Sequence, residues 1–231
     1  MITTIAFDAD DTLWHNERIF LSIKERYAAL LAEFADRDFI ERHLDETESV
    51  NIRHFGYGVK GFTLSMIETA CELTGGRITG DKIKEIVDFA KQMLASPIEV
   101  LDGVRETIET LAARYRLMMI TKGDLLDQEA KLARSGLGDF FDSFEIVPRK
   151  DAKIYRYILR RHAIDRDEFV MVGNSLKSDI LPVVEIGARA VFIPYETEWF
   201  HERVSDEGLA GKEFARLEKM SELPAWLASL H

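Results

Sequence analysis

Apolar positions in this chain change period twice, and the changes divide it. From Asn16 to Ala35, Ile19, Phe20, Ile23, Tyr27, Leu30, Leu31 and Phe34 recur at the spacing of one helical face. The stretch from about Asp36 to Asn51 continues that spacing through Phe39, Ile40, Leu44 and Val50. Residues 63–74 and 79–95 predict two more helices, the second carrying Ile83, Ile86, Val87, Ala90 and Leu94 on one side, with Thr79 as a candidate cap. Three glycines in Phe55-Gly56-Tyr57-Gly58-Val59-Lys60-Gly61-Phe62 predict a loop or bend there. Pro97 closes the helical run.

On either side of that segment the pattern is one of short apolar runs. Ile5-Ala6-Phe7 predicts a buried strand near the start. Beyond Pro97 the expected order is a helix over 102–114, a strand over Arg116–Ile120 and a helix over 125–135 ending at Gly136. A strand at Phe144–Val147, a helix over 152–162, a strand at Phe169–Val172 and a helix over 179–186 follow, and Ala190–Ile193 is a last strand. Trp199 and Trp226 are expected to pack short helices onto the outside. Strands alternating with helices of about a dozen residues predict an α/β fold built on a doubly wound parallel sheet. The reading is therefore a core domain of residues 1–14 and 98–231, interrupted by an all-helical domain over 15–97. An insertion of about eighty residues at that point is well placed to cover a site on the sheet edge.

Composition narrows the class. With 231 residues, 46% of them hydrophobic, the chain can bury a substantial core. A formal net charge of −11 and the absence of a basic stripe argue against nucleic acid as a partner. Cys71 is the single cysteine, so no internal disulfide is possible and a reducing, cytoplasmic setting is expected. Met-Ile-Thr-Thr leads straight into the first strand without a charged start, and no apolar run has the length of a bilayer crossing, so neither a signal peptide nor a membrane partner is expected.

The chemistry gathers at strand ends. Ile5-Ala6-Phe7 delivers Asp8, Asp10 and Asp11 to a single loop, and ligands of open parallel sheets collect at the carboxyl ends of strands. Carboxylates crowded together repel unless a cation or a shared proton lies among them, and a hard divalent cation meets that need. The competing reading is an N-cap, which needs one of these acids and not three. Thr121, with Lys122 and Gly123 behind it, offers a hydroxyl and turn amides to a phosphoryl oxygen; its plainer role is to cap the next helix. Lys150 follows Ile146-Val147-Pro148, where a cation can offset negative charge or stand as a solvated surface lysine. Gly173-Asn174 and Asp179 follow the strand at 169–172, and Asp179 also reads as an N-cap.

Taken in order, Asp8-Ala9-Asp10-Asp11-Thr12-Leu13, Thr121, a lysine in the third loop, and Gly173-Asn174-Ser175 to Asp179 resemble the motifs of the haloacid dehalogenase superfamily of hydrolases, in the form with a helical cap inserted after the first motif. The resemblance spans the whole core, about two thirds of the chain. It implies a Rossmann-like core and a magnesium-dependent phosphatase acting on a small phosphate ester through an aspartyl-phosphate. Asp8 is then the nucleophile and Asp10 the general acid and base. Thr121 and the amides of Lys122 and Gly123 hold the phosphoryl group, and Lys150 offsets charge. Asp8, Asp10 through its carbonyl, Asn174 and Asp179 form the metal site. Three positions depart from the family pattern. Asp11 stands for a glycine, Asn174 for an aspartate, and the third motif reads Arg149-Lys150-Asp151-Ala152-Lys153-Ile154-Tyr155, which leaves Lys153 as a second choice for the lysine. Arg53 and Lys60, flanking the glycine-broken segment, are candidates for selecting the leaving group, against the plain reading of solvated charges on a helix connection.

Other activities fit the same core. A metal-independent 2-haloacid dehalogenase also uses the first aspartate, but halide leaves unprotonated and needs no acid at Asp10. A phosphomutase shares every core residue. A non-catalytic phosphate-binding protein fits if the reactive residues are lost, and none is. Neither the particular phosphate ester nor the oligomeric state is encoded in these patterns.

Overall fold

Burial on both faces explains why the strands read as unbroken apolar runs. In the computed structural model, which describes residues 1–197, 199, 202 and 204–230, Ile5 and Phe7 of β1 (Thr4–Phe7) pack on one face of the sheet. Leu117 and Met119 of β2 (Arg116–Lys122) and Val170 and Val172 of β4 (Phe169–Gly173) share that face. Ala6, Met118, Ile120 and Met171 point to the opposite face, onto α7 (Ala152–Arg161) and α8 (Leu181–Glu185). The two-residue period of a strand produces that division, and each large side chain so buried contributes about 2 kcal/mol.

With β3 (Ser143–Val147), β5 (Arg189–Phe192) and β6 (Ala215–Arg216), the described residues form a six-stranded sheet in the order β3-β2-β1-β4-β5-β6. Every pairing is parallel, with Phe7 of β1 opposite both Met119 and Val172. The chain winds outward from β1 through β2 to β3, then returns to β4 on the other side of β1. Strand order therefore reverses between β1 and β4, which is where open α/β sheets leave a crevice at their carboxyl ends.

Met1–His15, Ile98–Lys122 and Gln128–His231 form one compact unit, containing this sheet, and Asn16–Pro97 with Gly123–Asp127 form a second. The second unit is helical. Its helices are α1 (Glu17–Leu30), α2 (Arg37–Phe55), α3 (Val59–Leu73) and α4 (Gly80–Ala95). They enclose Tyr27, Leu31, Ile40, Leu44, Phe62, Met66, Ile86 and Phe89. Asp36 and Thr79 cap α2 and α4 through the amides of Phe39 and Lys82. The sheet unit carries α5 (Val104–Ala112) and α6 (Leu125–Ser135, whose first turn belongs to the helical unit), and two short helices, α9 (Asp206–Leu209) and α10 (Leu223–Ala228). No helix among the described residues is long and apolar enough to cross a membrane.

Four expectations change. The predicted loop over 55–62 shrinks to Gly56–Gly58, because α3 already begins at Val59. Gly61 is helical; a Cβ there would lie 2.7 Å from the Gly56 carbonyl oxygen, so close approach and not looping accounts for that glycine. The helix expected over 179–186 is preceded by a π-type turn over Leu176–Ile180. The two-residue edge strand β6 has no apolar run to announce it, and Trp199 lies outside any helix, although Trp226 sits on α10 against the core.

Candidate active site

Asp8, Asp10, Asp11 and Asp179 belong to the sheet unit, in the loops that follow β1 and β4. Asp8 directly follows β1, and its amide donates to the Val172 carbonyl at 2.9 Å, so the chain stays in sheet register up to the first carboxylate. The loop then folds tightly on itself. The amides of Thr12 and Leu13 return to the Ala9 carbonyl, and the Asp11 amide donates to the Trp14 carbonyl. Asp11 has φ of 60°, a left-handed conformation that aspartate tolerates better than most residues. The Thr12 hydroxyl donates to Asn174 Oδ1 at 3.1 Å, tying this loop to the one after β4.

Lys150 lies at the centre. Its side chain is 1% exposed, and its ammonium bonds both Asp8 Oδ1 and, at 2.6 Å, Asp179 Oδ1. Burial opposes its charge, but the two carboxylates outweigh burial and hold the ammonium above its ordinary range. Burial and the nearby Asp8 charge push the Asp179 carboxyl up to about 7, against the opposing pull of Lys150. One ammonium therefore does not fully compensate two buried carboxylates. Lys153, the alternative lysine, is exposed on α7, whose first turn Asp151 caps through the Ile154 amide. Asp179 does not cap a helix. Ser175 caps the π-type turn, and Asp179 Oδ2 accepts from the Ser175 amide at 3.0 Å.

Gly173 makes room for that arrangement: a Cβ there would lie 2.3 Å from Asp179 Oδ2. Thr121 is buried at the end of β2 with its hydroxyl donating to the Lys122 carbonyl, and α6 starts only at Leu125, so Thr121 is not its cap. The Lys122 ammonium bonds Ser178 Oγ at 3.0 Å and pairs with Glu202, with the Trp199 ring 5.8 Å away. Glu202 also accepts from the hydroxyls of Ser175 and Ser178. Burial opposes its charge, yet Lys122 and these hydroxyls hold its carboxyl below the usual range.

The Asp10 carboxylate takes a different set of partners. Oδ1 accepts from Trp14 Nε1 at 2.8 Å and from Lys131 Nζ at 3.0 Å, while Oδ2 accepts from Gln128 Nε2 at 2.8 Å. Its side chain is thus held from its own loop and from α6. No cluster of three or more His, Cys, Asp or Glu side chains fit to hold a metal occurs among the described residues. The site instead offers two carboxylates, the Asn174 amide oxygen and the Asp10 carbonyl. That all-oxygen set suits a hard cation, and the excess negative charge around Lys150 favours one.

Gly123, Arg53 and Lys60 belong to the helical unit. Lys60 pairs with Asp124 at 2.9 Å and thereby holds that carboxyl below its usual range. Arg53 is exposed near the end of α2. Sequence reasoning missed Trp14, Gln128, Lys131 and Glu202. Gln128 and Lys131 lie three apart on a face of α6 that the fold buries, which the sequence alone does not announce.

Comparison with known proteins follows the same lines. Residues 2–187 match the model of the haloacid dehalogenase-like hydrolases. A haloacid dehalogenase-like family hydrolase from Xanthomonas campestris superposes with a TM-score of 0.88 at 39% identity, covering 99% of this chain and 91% of that one. A glyceraldehyde 3-phosphate phosphatase from Methanothermobacter thermautotrophicus is 27% identical over 90% of this chain and 93% of its own length. The pyrimidine 5'-nucleotidase YjjG of Escherichia coli is 25% identical over 89% and 90%.

Proposed function

The chain belongs to the haloacid dehalogenase-like hydrolase family, and from that premise we propose that it is a magnesium-dependent phosphatase of small phosphorylated metabolites, working in the cytoplasm through an aspartyl-phosphate. The observation that carries this reading is the buried Lys150 bridging Asp8 and Asp179 at the β1/β4 reversal, with a second acid, Asp10, two residues beyond the first.

Asp8 attacks phosphorus, and Lys150 offsets the repulsion between its carboxylate and the phosphate dianion. Thr121, with the amides of Lys122 and Gly123, holds the phosphoryl oxygens. Asp10 protonates the departing ester oxygen, then accepts a proton from the water that attacks the aspartyl-phosphate. Asp8, Asp179, Asn174 and the Asp10 carbonyl would hold magnesium, whose charge lowers the barrier to bringing a carboxylate against a phosphate. Arg53 and Lys60, flanking the turn between α2 and α3, select the leaving group, and residues 15–97 serve as the cap domain. Two curated relatives that align along most of their length carry phosphatase and nucleotidase names, which supports phosphoryl chemistry over dehalogenation. An acid at Asp10 supports it too, since halide leaves unprotonated.

The test is a panel containing a triose phosphate, a nucleoside 5'-monophosphate and an aryl phosphate, with and without magnesium. Turnover that requires magnesium and drops roughly a thousandfold or more in Asp8→Asn is expected. Absence of turnover with every divalent metal refutes the proposal, and metal-free halide release from a 2-haloacid replaces it with dehalogenation.

A further inference from the structure

Asp10 is held more firmly than a free acid on a loop needs to be. Three donors reach its carboxylate: Trp14 from the same loop, and Gln128 and Lys131 from α6, more than a hundred residues away in sequence. Gln128 and Lys131 are 2% and 8% exposed. Oδ1 carries two close donors, at 2.8 and 3.0 Å, which fill its two lone pairs. Oδ2 carries one close donor at 2.8 Å, and Lys131 is next at 3.3 Å. Oδ2 is therefore the less closely held oxygen and the one we assign to take a proton.

Gln128 carries an unmet polar atom beside the two bonds it makes. Both of its amide hydrogens are used, on Asp10 Oδ2 and on the Lys122 carbonyl, but its Oε1 is buried with no hydrogen-bond partner. A buried orphan acceptor is unfavourable, and an apolar side chain of similar size would avoid it. A side chain kept at such a cost is explained by what its other end holds.

We propose that Lys131 and Gln128, together with Trp14, are positioning residues that fix the Asp10 carboxylate for its base step. The proposal rests on the phosphatase reading above. In that step a water oxygen attacks the phosphorus of the aspartyl-phosphate and Asp10 Oδ2 takes its proton. The bond between phosphorus and the Asp8 oxygen breaks, returning the Asp8 carboxylate and releasing inorganic phosphate. With an aryl phosphate, whose leaving group departs without a proton, the first half-reaction does not need Asp10, so the cradle shows itself in the second half alone.

The experiment follows 4-nitrophenyl phosphate with magnesium present, in wild type, Lys131→Met, Gln128→Leu and Asp10→Asn. Steady-state constants are measured together with the decay of acid-quenched phosphoenzyme. In the two cradle variants phosphoenzyme decay and kcat are expected to fall about tenfold to a hundredfold, with KM falling alongside so that kcat/KM stays within about twofold. Lys131→Met is expected to add nothing in the Asp10→Asn background. Gln128→Leu removes the orphan oxygen together with two donated bonds, so the thermal midpoint is measured beside the kinetics; this variant carries the test if Lys131→Met does not fold. Equal losses in kcat and kcat/KM, or phosphoenzyme decay at the wild-type rate beside a slowed Asp10→Asn, overturn the proposal. If Asp10→Asn itself decays at the wild-type rate, the role given to Asp10 falls first, and the cradle falls with it.

Discussion

Gly173→Ala isolates a single contact. Gly173 closes β4, and its φ lies outside the left-handed region, so alanine there carries no backbone penalty. The added Cβ, however, would stand 2.3 Å from Asp179 Oδ2, 2.4 Å from Cγ and 2.6 Å from Cβ, where ordinary contact begins at 3.4 Å. The shortfall is about 1.1 Å against a side chain with no exposure, anchored by Lys150 at 2.6 Å and the Ser175 amide at 3.0 Å. Asp179 has no open space to swing into without loosening both bonds. Overpacking of this kind costs about 1–3 kcal/mol, and weakening hydrogen bonds to a buried charge adds about 1.5–3 kcal/mol, so a loss of roughly 3–5 kcal/mol is expected. Displacing a site carboxylate by about 1 Å also lowers turnover by roughly a hundredfold. Urea unfolding and initial rates on an aryl phosphate read the two effects separately. Gly80→Ala is the control: it starts α4 with nothing within 4 Å of the added carbon, and is expected to be neutral or stabilising by up to about 1 kcal/mol. A Gly173→Ala protein within about 0.5 kcal/mol of wild type and fully active would refute the steric reasoning.

Two further outcomes follow from the same loops. Asp11 holds φ of 60°, so Asp11→Val is expected to lose about 1–2 kcal/mol while Asp11→Gly stays within about 1 kcal/mol of wild type; equal urea midpoints for the two would count against the turn argument. Asp179 has its folded-state pKa raised to about 7, so its contribution to stability is full below its unfolded pKa of about 4 and is lost as pH rises through 7. Chelated, metal-free wild type should therefore lose stability between about pH 4 and 7 through this group, by up to about 4 kcal/mol, and Asp179→Asn should flatten that slope. An unchanged slope in the variant would place the pH dependence elsewhere.

The strands were legible because burial on both faces leaves a run of apolar residues that no amphipathic helix shares, and the candidate site residues were singled out because each lies in the loop at the end of a strand. β6 was not, since two residues, Ala215 and Arg216, at a sheet edge need no apolar signature. Nor could spacing choose between Lys150 and Lys153. The choice depends on where α7 begins, and with Asp151 as its cap Lys150 stays in the buried loop while Lys153 falls on the exposed face. The Asp10 cradle was the least accessible part. Its two α6 partners lie 118 and 121 residues from the acid, a separation set by the return of the chain through β2 and not by any local period.

The folded chain does show local inconsistency at the site. A buried helix face with glutamine and lysine, and a glycine ending an otherwise apolar strand, are each poor choices for local stability. In the folded chain each resolves into a reason that concerns the carboxylates: Gln128 and Lys131 hold Asp10, and Gly173 leaves space for Asp179. Positions where local rules fail without local compensation therefore mark this site more sharply than the acids do, because an exposed acid is common and a buried polar residue must be explained by what it touches.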